Sequence, residues 1–133
     1  MVKGAQLSLE FVMIFVVVFL VFSVLVAVIT IFAEEGTDSA LRSKTETVAD
    51  TIQSEIRLAR SAAPVFSSQV QMPEDLDGVS YDVLIDEGAD VLIVSAEDIY
   101  TTRSLPNVSG TFVPGSLHEI TRRGGEIKIE PVP

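Results

Sequence analysis

Cysteine is absent from the 133 residues of the chain, and histidine occurs only once, as His118. The absence of cysteine excludes disulfide bonds, thiolate catalysis and cysteine-based zinc sites. A lone histidine on a predicted strand is expected to be structural or solvated rather than catalytic. The sequence also contains no glycine-rich phosphate-binding loop and no nucleophile elbow. We therefore predict that the protein is not an enzyme and that it uses neither a cofactor nor a metal ion.

Basic residues are scarce: nine Lys or Arg stand against nineteen Asp or Glu, and the formal net charge is −10. A nucleic-acid partner is disfavoured, because phosphate contacts require a basic face. The acidity is concentrated between residues 71 and 102, where nine residues are acidic and none is basic. The spacing of these carboxylates does not follow a calcium-binding loop. It predicts a soluble surface that repels copies of itself.

Charge, glycine and proline are all missing from Phe11 to Ala33, and only Ser23 and Thr30 interrupt the apolar character of this segment. We call these residues the apolar segment. As a helix it would be about 35 Å long, whereas a bilayer core of about 30 Å needs about 20 residues. A cleavable secretory signal has a shorter apolar region of about 7–15 residues. The segment therefore predicts a single transmembrane helix.

The charges on either side of the apolar segment predict its orientation. Lys3 and the amino terminus precede it, and Glu34 and Glu35 follow it directly. Positive flanks stay on the cytoplasmic side of a membrane. We therefore expect the amino terminus inside the cell and the residues from Glu34 onward outside.

Glu10 lies at the start of the apolar segment, among apolar neighbours. An ionised side chain costs about 2.5–3.5 kcal/mol at the centre of a membrane helix and less near its edge, so it normally has a partner. One alternative is that Glu10 has no charged partner and reaches the lipid headgroups at the membrane interface. If the chain were cut between Ala5 and Gln6, however, a new α-amine would lie one helical turn, about 6 Å, from Glu10. The helix dipole also favours a negative charge in the first turn.

The residues Lys3, Gly4 and Ala5, followed by Gln6-x-Ser8-x-Glu10-Phe11 and an apolar helix, resemble the class III, or type IV pilin-like, signal peptide of euryarchaeal pilins. The resemblance covers residues 3–33. It implies that a prepilin peptidase cuts on the cytoplasmic side between Ala5 and Gln6. The apolar helix then stays attached and packs in the core of a filament.

The resemblance further implies a structural subunit of an archaeal surface filament that serves adhesion or attachment. Its partners would be other copies of itself, the prepilin peptidase, a pilus assembly ATPase, a membrane platform protein and, before assembly, membrane lipid. Gln6 and Glu10 would set the register between packed helices, since one buried polar group can fix register. Two alternatives remain open: a membrane-anchored binding module that does not polymerise, and a minor pilin.

A second helical stretch follows the apolar segment. Residues 34–39 are of helix-breaking and capping types, which predicts a kink or short interruption near Gly36. From Ala40 to about Ala62, apolar residues recur at spacings of three and four, and Pro64 should end the helix. This stripe predicts packing on the C-terminal sheet, with a coiled coil between subunits as the alternative. Its members are Val48, Ile52, Ile56, Ala59 and Ala63.

The C-terminal region predicts strands at 79–85, 91–94, 98–103, 117–122 and 126–130, after a linker at 67–77. Hairpin turns are expected at 86–90 and at Gly124-Gly125. The predicted fold is α+β, a pilin-like lollipop: a long transmembrane and stalk helix, then a small antiparallel sheet of four or five strands. Its expected parts are a cleaved leader at 1–5, a filament-core helix at 6–33, a stalk helix at 34–64 and an extracellular β domain at 65–133.

Asn107-Val108-Ser109 is an N-glycosylation sequon in a turn-like segment after Pro106. The predicted orientation puts this sequon outside the cell, and the resemblance implies a family whose surface subunits are commonly glycosylated. Asn107 is therefore a candidate glycosylation site.

Overall fold

The computed structural model describes the backbone of residues 2–62 and 64–133, and side chains from residue 8 onward within those ranges. One long helix, α1 (Val2–Ser61), precedes seven strands, which confirms the predicted α+β order. The chain forms two compact units, Met1–Thr37 and Asp38–Pro133. The strands are β1 (Phe66–Gln71), β2 (Asp82–Asp86), β3 (Val91–Ala96), β4 (Ile99–Ser104), β5 (Val108–Gly110), β6 (Leu117–Arg123) and β7 (Glu126–Pro131).

The helical assignment continues through Gly36, so the expected interruption is absent from Val2–Ser61. A glycine inside a helix costs only about 0.5–1 kcal/mol relative to alanine, which long helical stretches on both sides can offset. The hydroxyl of Thr37 donates to the carbonyls of Ala33 (2.9 Å) and Glu34 (2.9 Å), as helical threonines do, instead of capping a new helix. The prediction of a short interruption near Gly36 was wrong.

Helix α1 ends at Ser61, shortly before Pro64, and the amide of Ala62 donates to the carbonyl of Leu58 at 3.0 Å. The end lies close to the predicted one, because the residue before a proline is pushed out of the helical region. Ala63, the last predicted member of the apolar stripe, lies outside the described residues.

The strands form two sheets rather than the single sheet that the sequence predicted. The first sheet has the order β1-β6-β7-β5, and the second has the order β2-β3-β4. All neighbouring pairs are antiparallel except β5 and β7, which are parallel. The two predicted hairpins are confirmed as β2–β3 and β6–β7, and the predicted strand at 98–103 is confirmed as β4.

Two strands were not predicted. β1 begins one residue before the segment expected to be a linker and occupies the first five residues of that segment. It pairs with β6 so that Val70 lies opposite His118. The three-residue β5 pairs with β7, where Ser109 lies opposite Lys128. The first hairpin strand also starts later than expected: Val79 forms a separate bridge with Leu76 around a turn at Asp77-Gly78, and β2 begins only at Asp82.

The core of the second unit joins the last part of α1 to both sheets. The predicted stripe residues Val48, Ile52, Ile56 and Ala59 are all buried. This confirms the amphipathic packing of the helix on the β domain. The same burial argues against an intersubunit coiled coil, because the stripe is already covered within its own domain. The buried apolar residues that the strands and loops of the β domain contribute to this core are Val70, Met72, Leu76, Tyr81, Ile85, Leu92, Val94, Ala96, Leu105, Val108, Phe112, Ile120, Ile127 and Ile129.

Candidate functional site

The predicted processing motif lies in the first turns of α1, whose backbone is helical from Val2 onward. The side chains of Lys3, Gln6 and their neighbours up to Leu7, with the predicted cleavage site at Ala5, lie outside the described side chains. Ser8, Glu10 and Phe11 are described, and all three are exposed. None of the cations among the described side chains forms an ion pair with Glu10.

Large apolar side chains cover every face of α1 along the apolar segment. Their exposed fractions range from 44% at Val26 to 70% at Phe11. An amphipathic helix would bury one face and expose the other, and this segment has no polar face to expose. Such a helix requires apolar surroundings on all sides, which either lipid tails or other apolar helices can supply.

The two polar side chains within the apolar segment do not interrupt its apolar surface. The hydroxyl of Ser23 donates to the carbonyl of Phe19 at 2.8 Å, and that of Thr30 donates to the carbonyl of Val26 at 2.8 Å. Both donors are therefore satisfied inside the helix, as a hydrocarbon environment demands. Among the described residues, α1 is the one helix long and apolar enough to cross a membrane.

His118 is buried on β6 and holds the turn that precedes this strand. Its Nε2 accepts the amide hydrogen of Val113 at 2.9 Å, and its Nδ1 lies 3.2 Å from the carbonyl of Ser116. This arrangement fits a neutral imidazole with its proton on Nδ1. Burial lowers the pKa of His118 below its ordinary value of 6.5, although the Ser116 bond acts in the opposite direction. Of the two settings expected for this residue, structural or solvated, the structure shows the structural one.

Asn107 is exposed at the turn before β5, with a left-handed backbone (φ 55°). Its amide donates to Oδ1 of Asp90 at 3.3 Å, and its carbonyl accepts the amide hydrogen of Ile127 at 3.3 Å. An open recess of about 190 Å³ adjoins the sequon. The recess is lined by Glu87, Asp90, Asn107, Val108, Ser109 and Glu126.

The acidic residues between 71 and 102 are all exposed and spread over turns and strand ends. Asp77 forms an ion pair with Lys44, and outside this stretch Asp50 pairs with Arg103 at 2.9 Å. Across residues 2–62 and 64–133, no group of three or more His, Asp or Glu side chains is placed to hold a metal ion.

Sequence reasoning missed Arg122, the side chain that joins the end of α1 to the first sheet. Its Nη1 donates to the carbonyls of Ala59 (3.4 Å), Arg60 (2.6 Å) and Ala62 (3.0 Å). Ala59 and Arg60 belong to the last turn of α1 and Ala62 follows its end, so these carbonyls lack partners within the helix. The only sequence signal was a basic residue on a predicted strand, and it gave no indication of the distant helix end.

The fold defines an α+β protein with a long apolar N-terminal helix that is compatible with a single membrane span, followed by a small β domain. Comparisons with models of protein families, with curated proteins and with solved structures find no match.

Proposed function

We propose that the chain is a pilin-like subunit that a prepilin peptidase cuts between Ala5 and Gln6. The mature chain then polymerises through its N-terminal helix into an archaeal surface filament that serves attachment. One observation carries the proposal: the string Gln6-x-Ser8-x-Glu10-Phe11 directly precedes a helical segment whose apolar side chains are exposed on every face.

The all-round apolar surface supports a helix that exchanges one apolar environment for another. Before assembly, lipid tails would cover the apolar segment. In a filament, the same side chains would pack against the equivalent segments of neighbouring subunits. Van der Waals packing and the release of lipid would favour this exchange, since transfer from water contributes nothing between two apolar environments.

Glu10 supports a fixed register in such an assembly. It is the only charged residue between Gly4 and Ala33. Cleavage before Gln6 would create an α-amine about one turn away, within reach of Glu10 on the same chain or on a neighbour. A charge pair in apolar surroundings is strongly favoured over two separated charges, so only offsets that pair Glu10 with an amine would be stable.

The orientation follows from the charges that flank the apolar segment. Lys3 would stay in the cytoplasm with the leader, and Glu34 and Glu35 would emerge on the outer side. The β domain would then form the outer surface of the filament. A pilus assembly ATPase on the cytoplasmic side and a membrane platform protein would drive assembly.

The mass of the intact chain purified from its own cells tests the processing step. We expect a mass lower by residues 1–5, with Gln6 as the first residue. The measurement is intact mass spectrometry together with the mass of the N-terminal fragment. A mature chain that still begins at Met1 would contradict the proposal.

A further inference from the structure

An apolar recess lies between α1 and β1, within the second compact unit. Its floor is formed by buried apolar residues of the helix and of the β1 region. Its volume is about 160 Å³. Pockets for small-molecule ligands usually have volumes of about 300–1,000 Å³, so this recess has the size for a single side chain. We call it the helix–β1 recess, and its lining residues are Thr47, Val48, Thr51, Ile52, Val70, Gln71, Met72 and Pro73.

The helix–β1 recess suits an apolar or aromatic side chain. None of its described lining residues is charged, although 21% of the chain is. The hydroxyl of Thr47 donates to the carbonyl of Ser43 at 2.8 Å, and that of Thr51 donates to the carbonyl of Thr47 at 2.8 Å. Nε2 of Gln71 donates to the carbonyl of Gly115 at 3.1 Å. The donors at the rim are thus used within the chain, and an incoming apolar group breaks no hydrogen bond.

Tyr100 is the exposed aromatic residue of the β domain. The chain contains two tyrosines and no tryptophan. Tyr81 is buried, and its hydroxyl donates to the carbonyl of Pro73 at 2.6 Å. Tyr100, on β4, is 74% exposed. Tyrosine is enriched at protein interfaces because it combines a large apolar ring with a polar end, and such rings often carry much of the binding energy.

Tyr100 and the helix–β1 recess lie on opposite flanks of α1. Tyr100 borders a depression together with Arg42 and Glu46 of the helix. Measured from the buried Ile52 at 3.6 residues per turn, Glu46 lies about 120° to one side and Thr51, in the recess, about 100° to the other. Along α1 the two sites are about five residues, or about 8 Å, apart.

A ring on one flank and a recess on the other can meet only between two copies of the chain. Such a contact joins different surfaces of the two copies, and it extends into an open chain of subunits when the rotation between copies does not close. All copies then point in the same direction. Chains anchored in one membrane or one filament meet this condition, with neighbours displaced by about 8 Å along α1.

The charges beside the two sites favour one orientation of this contact. Arg42 lies beside the ring, and Glu74 directly follows the last lining residue of the recess. Neither forms an ion pair among the described side chains. Glu46 and Asp98 also border the ring, so the contact is favourable with Arg42 on the side of Glu74. Charges at the edge of an interface select orientation more than they add affinity.

We propose that Tyr100 of one copy inserts its ring into the helix–β1 recess of the next copy, so that the β domains are linked head to tail. The ring covers the apolar floor of the recess, and the hydroxyl stays at its rim. The inference rests on the proposed function for one point, the common direction of the anchored copies. It adds a contact between β domains to the packing of the apolar helices.

Selective cross-linking can test this contact, because the chain has no cysteine. Thr102 is exposed on the same side of β4 as Tyr100, and Ser54 is exposed about one turn after Thr51. Thr102→Cys and Ser54→Cys are combined in one full-length chain, expressed in the native cells and treated with a short bismaleimide. We expect a ladder of products at multiples of the mass of the chain on denaturing gels. Either single variant should give none.

Four further substitutions in this double-cysteine chain separate the ring from the recess. Tyr100→Phe keeps the ring and should keep the ladder, whereas Tyr100→Ala should lose it. Thr51→Phe fills the recess from its own chain and should also lose the ladder. Leu84→Ala is the matched control, because Leu84 is another exposed apolar residue (58%) and lies on β2. It should keep the ladder. All three positions are exposed, so the fold is expected to persist.

The absence of a ladder overturns the inference, and so does a ladder that survives Tyr100→Ala. A dimer from a single-cysteine chain would indicate a symmetric contact, and a product whose mass is not a multiple of that of the chain would indicate another protein. Both results contradict the head-to-tail contact.

Electron microscopy of the same cells reports on the proposed function separately. Filaments without a ladder contradict the Tyr100 contact alone. A ladder from membranes of cells that form no filaments supports the contact and contradicts the proposed filament.

Discussion

His118 shows how one buried side chain makes the β domain sensitive to pH. The neutral imidazole accepts a hydrogen bond from the amide of Val113 at 2.9 Å through Nε2. Protonation removes that acceptor and places a charge in a buried site beside Phe112, whose ring centre lies 5.2 Å away. The domain therefore folds around the neutral form, and burial lowers the pKa of His118 accordingly.

The sign of the resulting pH dependence follows from this lowered pKa. Below the ordinary value of 6.5, the unfolded chain binds a proton at this position more readily than the folded chain does. The contribution of His118 to the free energy of unfolding is therefore fully present above a pH of 6.5. It is lost as the pH falls from that value towards the lowered pKa of the folded state. We expect wild type to lose more stability between pH 7 and pH 5 than His118→Gln, which cannot titrate there. Thermal unfolding of the detergent-solubilised chain, followed by near-ultraviolet circular dichroism, measures the difference.

His118→Gln is expected to be less stable than wild type at pH 7, because it loses the shape of the imidazole. The comparison of slopes separates this constant loss from the titration, since the carboxylates of the domain contribute equally to both chains. Equal slopes for the two chains would contradict the assignment of a neutral, structural histidine.

At the scale of elements, the sequence predicted the features that have a local pattern, and it did not predict which distant segments pair with one another. Gly124-Gly125 between two apolar stretches predicted the β6–β7 hairpin, and Asp86-Glu87-Gly88 predicted the β2–β3 turn, because both turns have a local chemical signature. The apolar spacing of α1 from Val48 to Ala59 predicted the buried face in the same way.

The missed strands have no such signature. β1 reads Phe-Ser-Ser-Gln-Val-Gln and becomes a strand because β6 supplies its partner more than forty residues later. β5 has three residues and depends on a parallel neighbour, β7. The division into two sheets likewise follows from pairings between distant segments. A tertiary partner can thus impose strand structure where local propensity is weak.

The features of the candidate site likewise fall into those with a local sequence pattern and those that arise only on folding. Glu10, the apolar segment and the sequon at Asn107 were located from the sequence, since each is a local pattern. The recess beside Asn107 and the two bonds of His118 were not, because they arise from residues that only the folded domain brings together. The same holds for the contact between Arg122 and the end of α1.

That contact gives a prediction about the joint between helix and sheet. Arg122→Gln would remove the guanidinium that donates to the carbonyls of Ala59, Arg60 and Ala62, and the shorter glutamine would not replace its three bonds. A lost hydrogen bond to a charged group and the unsatisfied acceptors should cost about 1–3 kcal/mol in the free energy of unfolding. Chemical denaturation of the full chain in detergent measures the loss.

Arg123→Gln is the matched control, because it removes the same charge from the neighbouring, exposed position on β6. Its effect should stay within about 0.5 kcal/mol, as is usual for surface substitutions. Equal losses for the two variants would mean that net charge, and not the capping of α1, is responsible.

At the scale of the whole molecule, the chain combines an acidic β domain with a helix whose apolar side chains would be unfavourably exposed in water. The chain has a formal net charge of −10, and like charges on separate copies repel one another. The apolar segment has the opposite tendency, because its side chains are exposed on all faces in the single chain. In the proposed filament, packing between the helices must outweigh the repulsion between the acidic domains. The pairing of Glu10 with an α-amine would then select one register between the packed helices.

Glu10→Gln tests this at the level of assembly, since it keeps the size of the side chain and removes only the charge. Insertion into the membrane should persist or improve, because the cost of a charged group at the apolar segment disappears. Filaments should be lost, because the α-amine of Gln6 would have no carboxylate to pair with and the register would no longer be specified. Electron microscopy of sheared filaments and fractionation of membranes measure the two outcomes.

Glu34→Gln, just beyond the other end of the apolar segment, removes one charge without touching the proposed pair and should assemble normally. If Glu10→Gln formed filaments as abundant as those of wild type, pairing at Glu10 could not be what fixes the register. If wild type itself formed no filaments, the result would indicate a membrane-anchored chain that does not assemble.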